Sequence, residues 1–263
     1  MPINLTTQAG RIREAAVQRR LMATFEKRMR VAVKRELKQQ GSAASAGYRA
    51  RGLDGALSAV DSASTKRMER IFITSYSASM HSFALRTVSS MPKTGRPWAI
   101  EYKDAHDELD AKITAWAKRQ AAAKVTEINK TTRKMIANTI AGAVGQDAAS
   151  TTSVAKAIKD VMGTETPDWR ADLIARTEMH GSSMQGSLMG AESIDLPLLK
   201  VWVSTEDERT RVDHRSADGD EAPLDGTFTV GGELMQYPGD PSASAENVCN
   251  CRCVMIYKEP SNE

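Results

Sequence analysis

Apolar residues near the start of the chain return every four positions: Val17, Leu21, Phe25, Met29, Val33 and Leu37, with Met22 and Ala32 widening the stripe. That spacing predicts one long amphipathic helix over residues 11–40. Gly41-Ser42 is its expected stop, because a glycine just past the last apolar position suits a helix end. Residues 42–66 are rich in Ser, Ala and Gly and read as a mobile linker or a weak helix. Met68, Ile71, Phe72, Tyr76, Met80 and Phe83 predict a second helix over 66–90. The run Met91-Pro92-Lys93-Thr94-Gly95-Arg96-Pro97 ends it, since two prolines and a glycine cannot continue a helix. The strongest helical pattern covers 104–143, through Leu109, Ile113, Trp116, Val125, Ile128, Met135, Ile136 and Ile140. A shorter helix is expected at 151–162, with a Ser or Thr cap before Val154, Ile158 and Val161. Beyond Gly163 and Pro167, Leu173, Ile174, Met184, Leu188 and Met189 predict another at 168–193.

After Pro197 the pattern changes. Leu198–Val203, Thr227–Val230 and Val254–Tyr257 read as strands between turns rich in Gly, Asp and Pro. The fold class is therefore α+β and predominantly α-helical, with long N-terminal helices followed by a small irregular α+β C-terminal domain. The expected division is a basic N-terminal helical region (1–92), a central long helix (93–150) and the C-terminal domain (151–258). No internal repeat is present.

At 263 residues the chain can bury a real core, and 26% charged against 5% aromatic residues favours helices over sheets. No stretch approaches the roughly 20 apolar residues that cross a bilayer. Met1-Pro2-Ile3-Asn4-Leu5 runs straight into polar residues without a signal-peptide core, so a soluble protein made in a cytoplasm is expected. The net charge of +3 hides an asymmetry. Residues 1–40 hold ten Lys/Arg against three Asp/Glu, whereas residues 204–263 hold five against thirteen. Arg19, Arg20, Lys27, Arg28, Lys34 and Arg35 are the candidate DNA contacts, with Arg13 and Lys38 on the same helix. They are either the solvated face of a core helix or a surface that lies on nucleic acid, on a membrane or in a partner's groove, and on nucleic acid it would neutralise phosphates without reading bases.

Candidate chemistry gathers in residues 168–257. Ile174-Ala175-Arg176-Thr177-Glu178 lies on a helix, and a strand carrying Trp202 follows. Next come Asp207-Glu208-Arg209-Thr210-Arg211-Val212-Asp213-His214 and Asp218-Gly219. Tyr237-Pro238-Gly239-Asp240-Pro241 and Cys249-Asn250-Cys251-Arg252-Cys253 complete the series. Arg176 and Glu178 sit two apart on a helix and face different sides. Glu178 is expected to meet Arg209 or Arg211 in a carboxylate–guanidinium fork that fixes the loop. Asp218-Gly219 and Asp225-Gly226 are turn formers. Three cysteines within five residues, with no export signal, do not make a disulfide framework. If 249–253 is extended, Cys249, Cys251 and Cys253 share one face, and with His214 they match structural zinc in ligand type and count. The one-residue spacing departs from the usual two-residue knuckle. Zinc, thiols packed as small apolar groups beside His214, and a redox role all stay open.

In this order the pieces resemble the phage Mu F-like family of head-morphogenesis proteins, over about 90 residues: 174–178, 202, 207–219, 237–241 and 250–253. The resemblance implies a structural minor head protein of a tailed phage, with the portal and capsid or scaffold proteins as partners. It implies residence in the virion head, assembly in the host cytoplasm, an influence on DNA release, and no catalysis by this domain. Arg176, Glu178, Trp202, Asp207, Arg209, His214, Asp218 and Gly219 would then serve the fold. The resemblance also implies a Cys pair where this chain has Arg211 to His214, and here only His214 stands there. A nonspecific DNA-binding packaging or ejection protein is the alternative. A metal-dependent nuclease or toxin-like enzyme would rest on Asp207, Asp213, His214 and Asp218. Neighbours on a flexible loop rarely hold ligands at fixed geometry, and no phosphate-binding loop, nucleophile elbow or zinc-protease pair is present. The expectation is that the chain is not an enzyme.

Overall fold

A four-residue repeat advances about 40° per step around a helix of 3.6 residues per turn, which puts Val17 and Leu37 about 200° apart. They cannot share a face, and a computed structural model of the chain separates them: Leu37 is buried and Val17 is exposed. The buried side runs instead through Ala15, Gln18, Met22, Met29, Val33, Leu37, Gln40 and Ala44, at spacings of three and four with one step of seven. The structure describes residues 7–61, 63–91, 98–146, 149–165, 167–194, 196–205 and 207–260. The start Met1–Leu5 and the helix-breaking run Pro92–Pro97 lie outside the described residues.

In chain order the elements are α1 (Gln8–Asp61), α2 (Ala63–Ser90), α3 (Trp98–Val144), α4 (Thr151–Asp160), a π-helical turn (Val161–Glu165) and α5 (Pro167–Glu192). Then follow β1 (Leu199–Val203), α6 (Val212–Ser216), β2 (Glu221–Pro223), β3 (Phe228–Val230), β4 (Glu233–Met235), α7 (Ala245–Val248) and β5 (Val254–Lys258). The chain is thus predominantly helical, with a small region of short antiparallel strands near its end. The described residues form two compact units, neither of them a continuous stretch.

One unit draws on Lys27–Thr74 and Trp116–Ala175. Here α1 does not stop at Gly41: a Cβ on that glycine would lie 2.3 Å from the Cβ of Met162, so the residue is a notch that admits a neighbouring helix. The break comes later, at Arg51 and Gly52, where Gly52 takes φ +61. Residues 42–50 and 53–61 are helical, and their small side chains are what allow close packing. Ala44, Ala56 and Val60 join Ile136, Ile140, Val154, Ile158 and Met162 in one apolar cluster. Two buried charges are matched: Glu36 accepts from Arg67 and Ser64, and Arg170 donates to Thr132 and the Ile128 carbonyl. Ser150 caps α4 through a reciprocal pair with Ser153. Pro167 opens α5 at a position where a missing N–H costs nothing.

The other unit draws on the described residues of Met1–Glu26, Ser75–Ala115 and Arg176–Glu263. Its sheet has β1 in the centre, antiparallel to β2 on one side and to β5 on the other, with Val201 opposite Glu221 and Ile256. β3 and β4 form a separate hairpin. Lys200 to Val203 are all buried, so β1 is covered on both faces. Trp202 lies at the heart of a cluster that includes Met22, Phe83, Met184, Leu188, Phe228, Met235, Tyr237, Val254 and Met255. Hydroxyl pairs at Ser79–Ser182 (2.7 Å) and Thr87–Ser187 (2.8 Å) join α2 to α5.

Candidate functional site

The motif residues converge on the sheet end where β1 leaves Trp202. The indole meets the rings of His214 and Phe228 edge-on, with centroids 5.6 and 5.4 Å apart. α6 is only five residues long, and it turns His214 inward to 1% exposure. Arg211 precedes α6 and donates to the Cys249 carbonyl at 2.6 Å, which draws that helix onto the cysteine run.

The run is not extended from Cys249 onward. Cys249 closes α7, and Asn250 takes φ +58, the left-handed region that Asn tolerates better than most residues. Cys251 and Cys253 flank Arg252 in the chain, and both are buried. Each of their Sγ atoms lies 3.5 Å from His214 Nδ1. Among the described residues these three are the cluster of His, Cys, Asp and Glu side chains able to hold a metal. Cys249 is half-buried and outside it, so the four-ligand Cys₃His set is reduced to three by the turn at Asn250. The Cys251 thiol is pushed up by the neighbouring Cys253 and by burial. The Cys253 thiol is pushed down by the neighbouring Cys251 and then by His214.

Two further guanidinium groups, those of Arg252 and Arg176, hold the surrounding loops. Arg252 grips the Asp207 carboxylate with both terminal nitrogens, one at 2.6 Å. Asp207 also accepts from the Arg209 N–H and the Thr210 hydroxyl, both at 3.1 Å. Arg252 above all holds this carboxyl well below the usual carboxylate range. Arg176 donates to the Asn250 side chain at 3.0 Å, and the Asn250 N–H reaches the Thr177 hydroxyl at 3.5 Å. Asp218 accepts from the Ser204 N–H at 2.7 Å, while Gly219, at φ +86, donates its N–H to the Trp202 carbonyl at 2.9 Å. Asp240 accepts from the backbone of Gln236 and Ser242.

Some expected partners differ. Glu178 accepts from Tyr76 at 2.5 Å, because the rotation of α5 points it toward α2. Arg209 is exposed, its side chain 3.9 Å from Asp207, and Arg211 is spent on Cys249. Asp207, Asp213 and Asp218 do not join His214 in a metal-competent group. Of the basic residues, Arg20, Lys27, Arg28 and Arg35 are exposed. Lys34 is ion-paired with Asp168, and Arg19 turns inward, with Cys253, Arg252 and Asp207 acting on its charge.

One residue of the site carried no expectation. His180 is 2% exposed and donates Nε2–H to the Cys253 carbonyl at 2.7 Å. Burial lowers its pKa to about 4 and keeps it neutral. Its signal was helical phase: Thr177, His180, Met184 and Leu188 fall at spacings of three and four on the buried side of α5.

The sequence profile of the family described as Phage Mu protein F like protein matches residues 117–256, just over half of the chain. The chain is 35% identical over 91 residues to Minor head protein GP7 of Bacillus phage SPP1, covering 34% of this chain and 29% of that protein. It is 33% identical over 96 residues to NAD(+)--arginine ADP-ribosyltransferase EFV of Enterococcus faecalis (strain ATCC 700802 / V583), covering 35% of this chain and 20% of that one. The chain thus spans less than a third of the length of each of these relatives. No solved structure matches it.

Proposed function

The chain belongs to the Phage Mu protein F like family, and on that premise we propose that it is a structural minor head protein of a tailed phage. In this reading it acts during head assembly by binding the portal and neighbouring capsid or scaffold proteins, resides in the virion head, and is made in the host cytoplasm. It performs no reaction of its own. The observation that carries the reading is the state of the motif charges. Asp207 is gripped by Arg252, Asp218 by the Ser204 N–H and Asp240 by two backbone N–H groups. Carboxylates engaged in this way are poorer general bases, and they suit a loop-rich fold that must present a fixed surface. The ADP-ribosyltransferase named among the relatives matches over one fifth of its length, and its activity forms no part of the proposal. Among the described residues no helix is long and apolar enough to cross a membrane.

The test is co-purification with the portal protein of the same phage, followed by sedimentation at low and high salt. A salt-resistant complex, weakened by Arg252→Ala and Asp207→Ala, is expected. Absence of any complex, together with absence of the protein from purified heads, refutes the reading.

The exposed Arg20, Lys27, Arg28 and Arg35 favour a second activity within the same role, nonspecific contact with packaged DNA. Changing these four to Glu should abolish retention on duplex DNA, and wild-type retention should fall steeply with salt. Salt-independent retention, or retention by the Glu variant, overturns it.

A further inference from the structure

We propose that His214, through Nδ1, and the thiolates of Cys251 and Cys253 bind one zinc ion. Three observations lead there. First, the geometry fits an ion. Zn–S bonds of about 2.3 Å and Zn–N bonds of about 2.0–2.1 Å at tetrahedral angles place sulfur and nitrogen about 3.5 Å apart. Both Sγ atoms lie 3.5 Å from the same Nδ1. An imidazole nitrogen has a single lone pair or a single proton, so it serves one thiol well and not two at equal distance. A cation between the three atoms satisfies all of them.

Second, the protein brings the ligands together without needing the ion. Arg211 ties the start of α6 to the Cys249 carbonyl, and Arg252 ties the cysteine run to Asp207. The Thr205 hydroxyl donates to the Arg252 carbonyl at 3.0 Å, and Arg215 donates to the Asp207 carbonyl at 3.2 Å. The first three of these contacts hold Thr205, Asp207 and Arg211 onto Cys249 and Arg252, and the fourth ties α6 back to Asp207, so the ligand set is preorganised. Third, the two cysteines flank Arg252 with their sulfurs on the His214 side, and all three ligands are buried. Soft thiolate and imidazole donors in that setting select zinc over hard cations.

Among the described residues these three side chains form the group, which leaves a fourth tetrahedral position open to water or another donor. Binding releases the thiol protons to solvent. The ion would tie α6 and the cysteine run to the Trp202 core, in a region whose strands are only three to five residues long. The site is independent of the head-protein reading, and either can fail alone.

The experiment is elemental analysis of the full-length protein after gel filtration, with Cys249→Ser and the double variant Cys251→Ser/Cys253→Ser alongside. About one zinc per chain is expected in the wild type and in Cys249→Ser, with loss in the double variant. Should the double variant not fold, chelator-stripped wild-type protein given cobalt(II) decides the matter by the thiolate-to-metal charge-transfer band of a four-coordinate site. A chain that carries no zinc and takes up no cobalt overturns the proposal. So does zinc retained in a folded double variant, or the two thiols recovered as a disulfide in freshly purified protein.

Discussion

Glu14 and Arg86 make an ion pair whose two halves differ in their access to water, and that difference sets the outcome of removing either one. The Arg86 guanidinium donates three bonds of 2.7–3.1 Å to the Glu14 carboxylate. Gln18 donates to the same carboxylate at 3.2 Å and to the Met255 carbonyl of β5 at 3.1 Å. The Glu14 side chain is 11% exposed and that of Arg86 31%. Arg86→Ala strands a buried carboxylate with one amide donor, which should cost about 3 kcal/mol. Glu14→Gln keeps an acceptor for Arg86 and leaves a guanidinium that can reach water, for about 1 kcal/mol. The double variant has no stranded charge and should lie closer to Glu14→Gln than to Arg86→Ala. Urea unfolding followed by tryptophan fluorescence gives the three energies, and amide exchange across Val254–Lys258 reports whether β5 loosens with them. If Arg86→Ala costs no more than Glu14→Gln, or if the double variant loses the sum of both, the reasoning from unequal exposure is wrong.

Trp202→Ala removes the largest fully buried side chain and should cost about 3–5 kcal/mol, read as a fall in Tm with the long helices still visible by circular dichroism. Asn250→Gly keeps the left-handed turn, whereas Asn250→Val forces a β-branched residue into it. The Val variant should be the less stable of the two by about 1–2 kcal/mol in chemical denaturation, and equal stability would contradict the φ of +58. Asp240→Ala leaves the Gln236 and Ser242 N–H groups without their acceptor and should cost about 2–4 kcal/mol by the same measurement.

Much of the fold could be read from the chain because helix periodicity is a local property. α2 and α5 lie where their apolar spacing put them, and the strands at Leu199–Val203 and Val254–Lys258 follow their apolar runs. The misreadings arose where a residue has two uses. Gly41 and the small residues after it suit both a helix end and a close helix contact, and only the partner, Met162, decides between them. At the site, Asp207, Asp218, Gly219 and His214 were legible as members of one fold, but their partners were not. Which arginine meets Asp207 depends on a loop 45 positions away. Cys249 dropped out of the ligand set because of one left-handed residue, which alternation along an extended strand does not foresee. Arg176, by contrast, meets the asparagine of the cysteine run, so two motifs read separately turn out to be halves of one contact.

The sheet order gives the chain a timetable. β1, the central strand, leaves the ribosome more than fifty residues before its longer partner β5, and the amide of Gln18, among the earliest described residues, waits for the carbonyl of Met255. Arg176, Thr177 and Asp207 wait likewise for Asn250 and Arg252. Domains fold as units during synthesis, but this one cannot close its three-stranded sheet until β5 is available. A ribosome-bound or truncated chain lacking residues past 249 would therefore carry finished helices and an unfinished sheet. A copy that lacks β5 would not present the closed sheet.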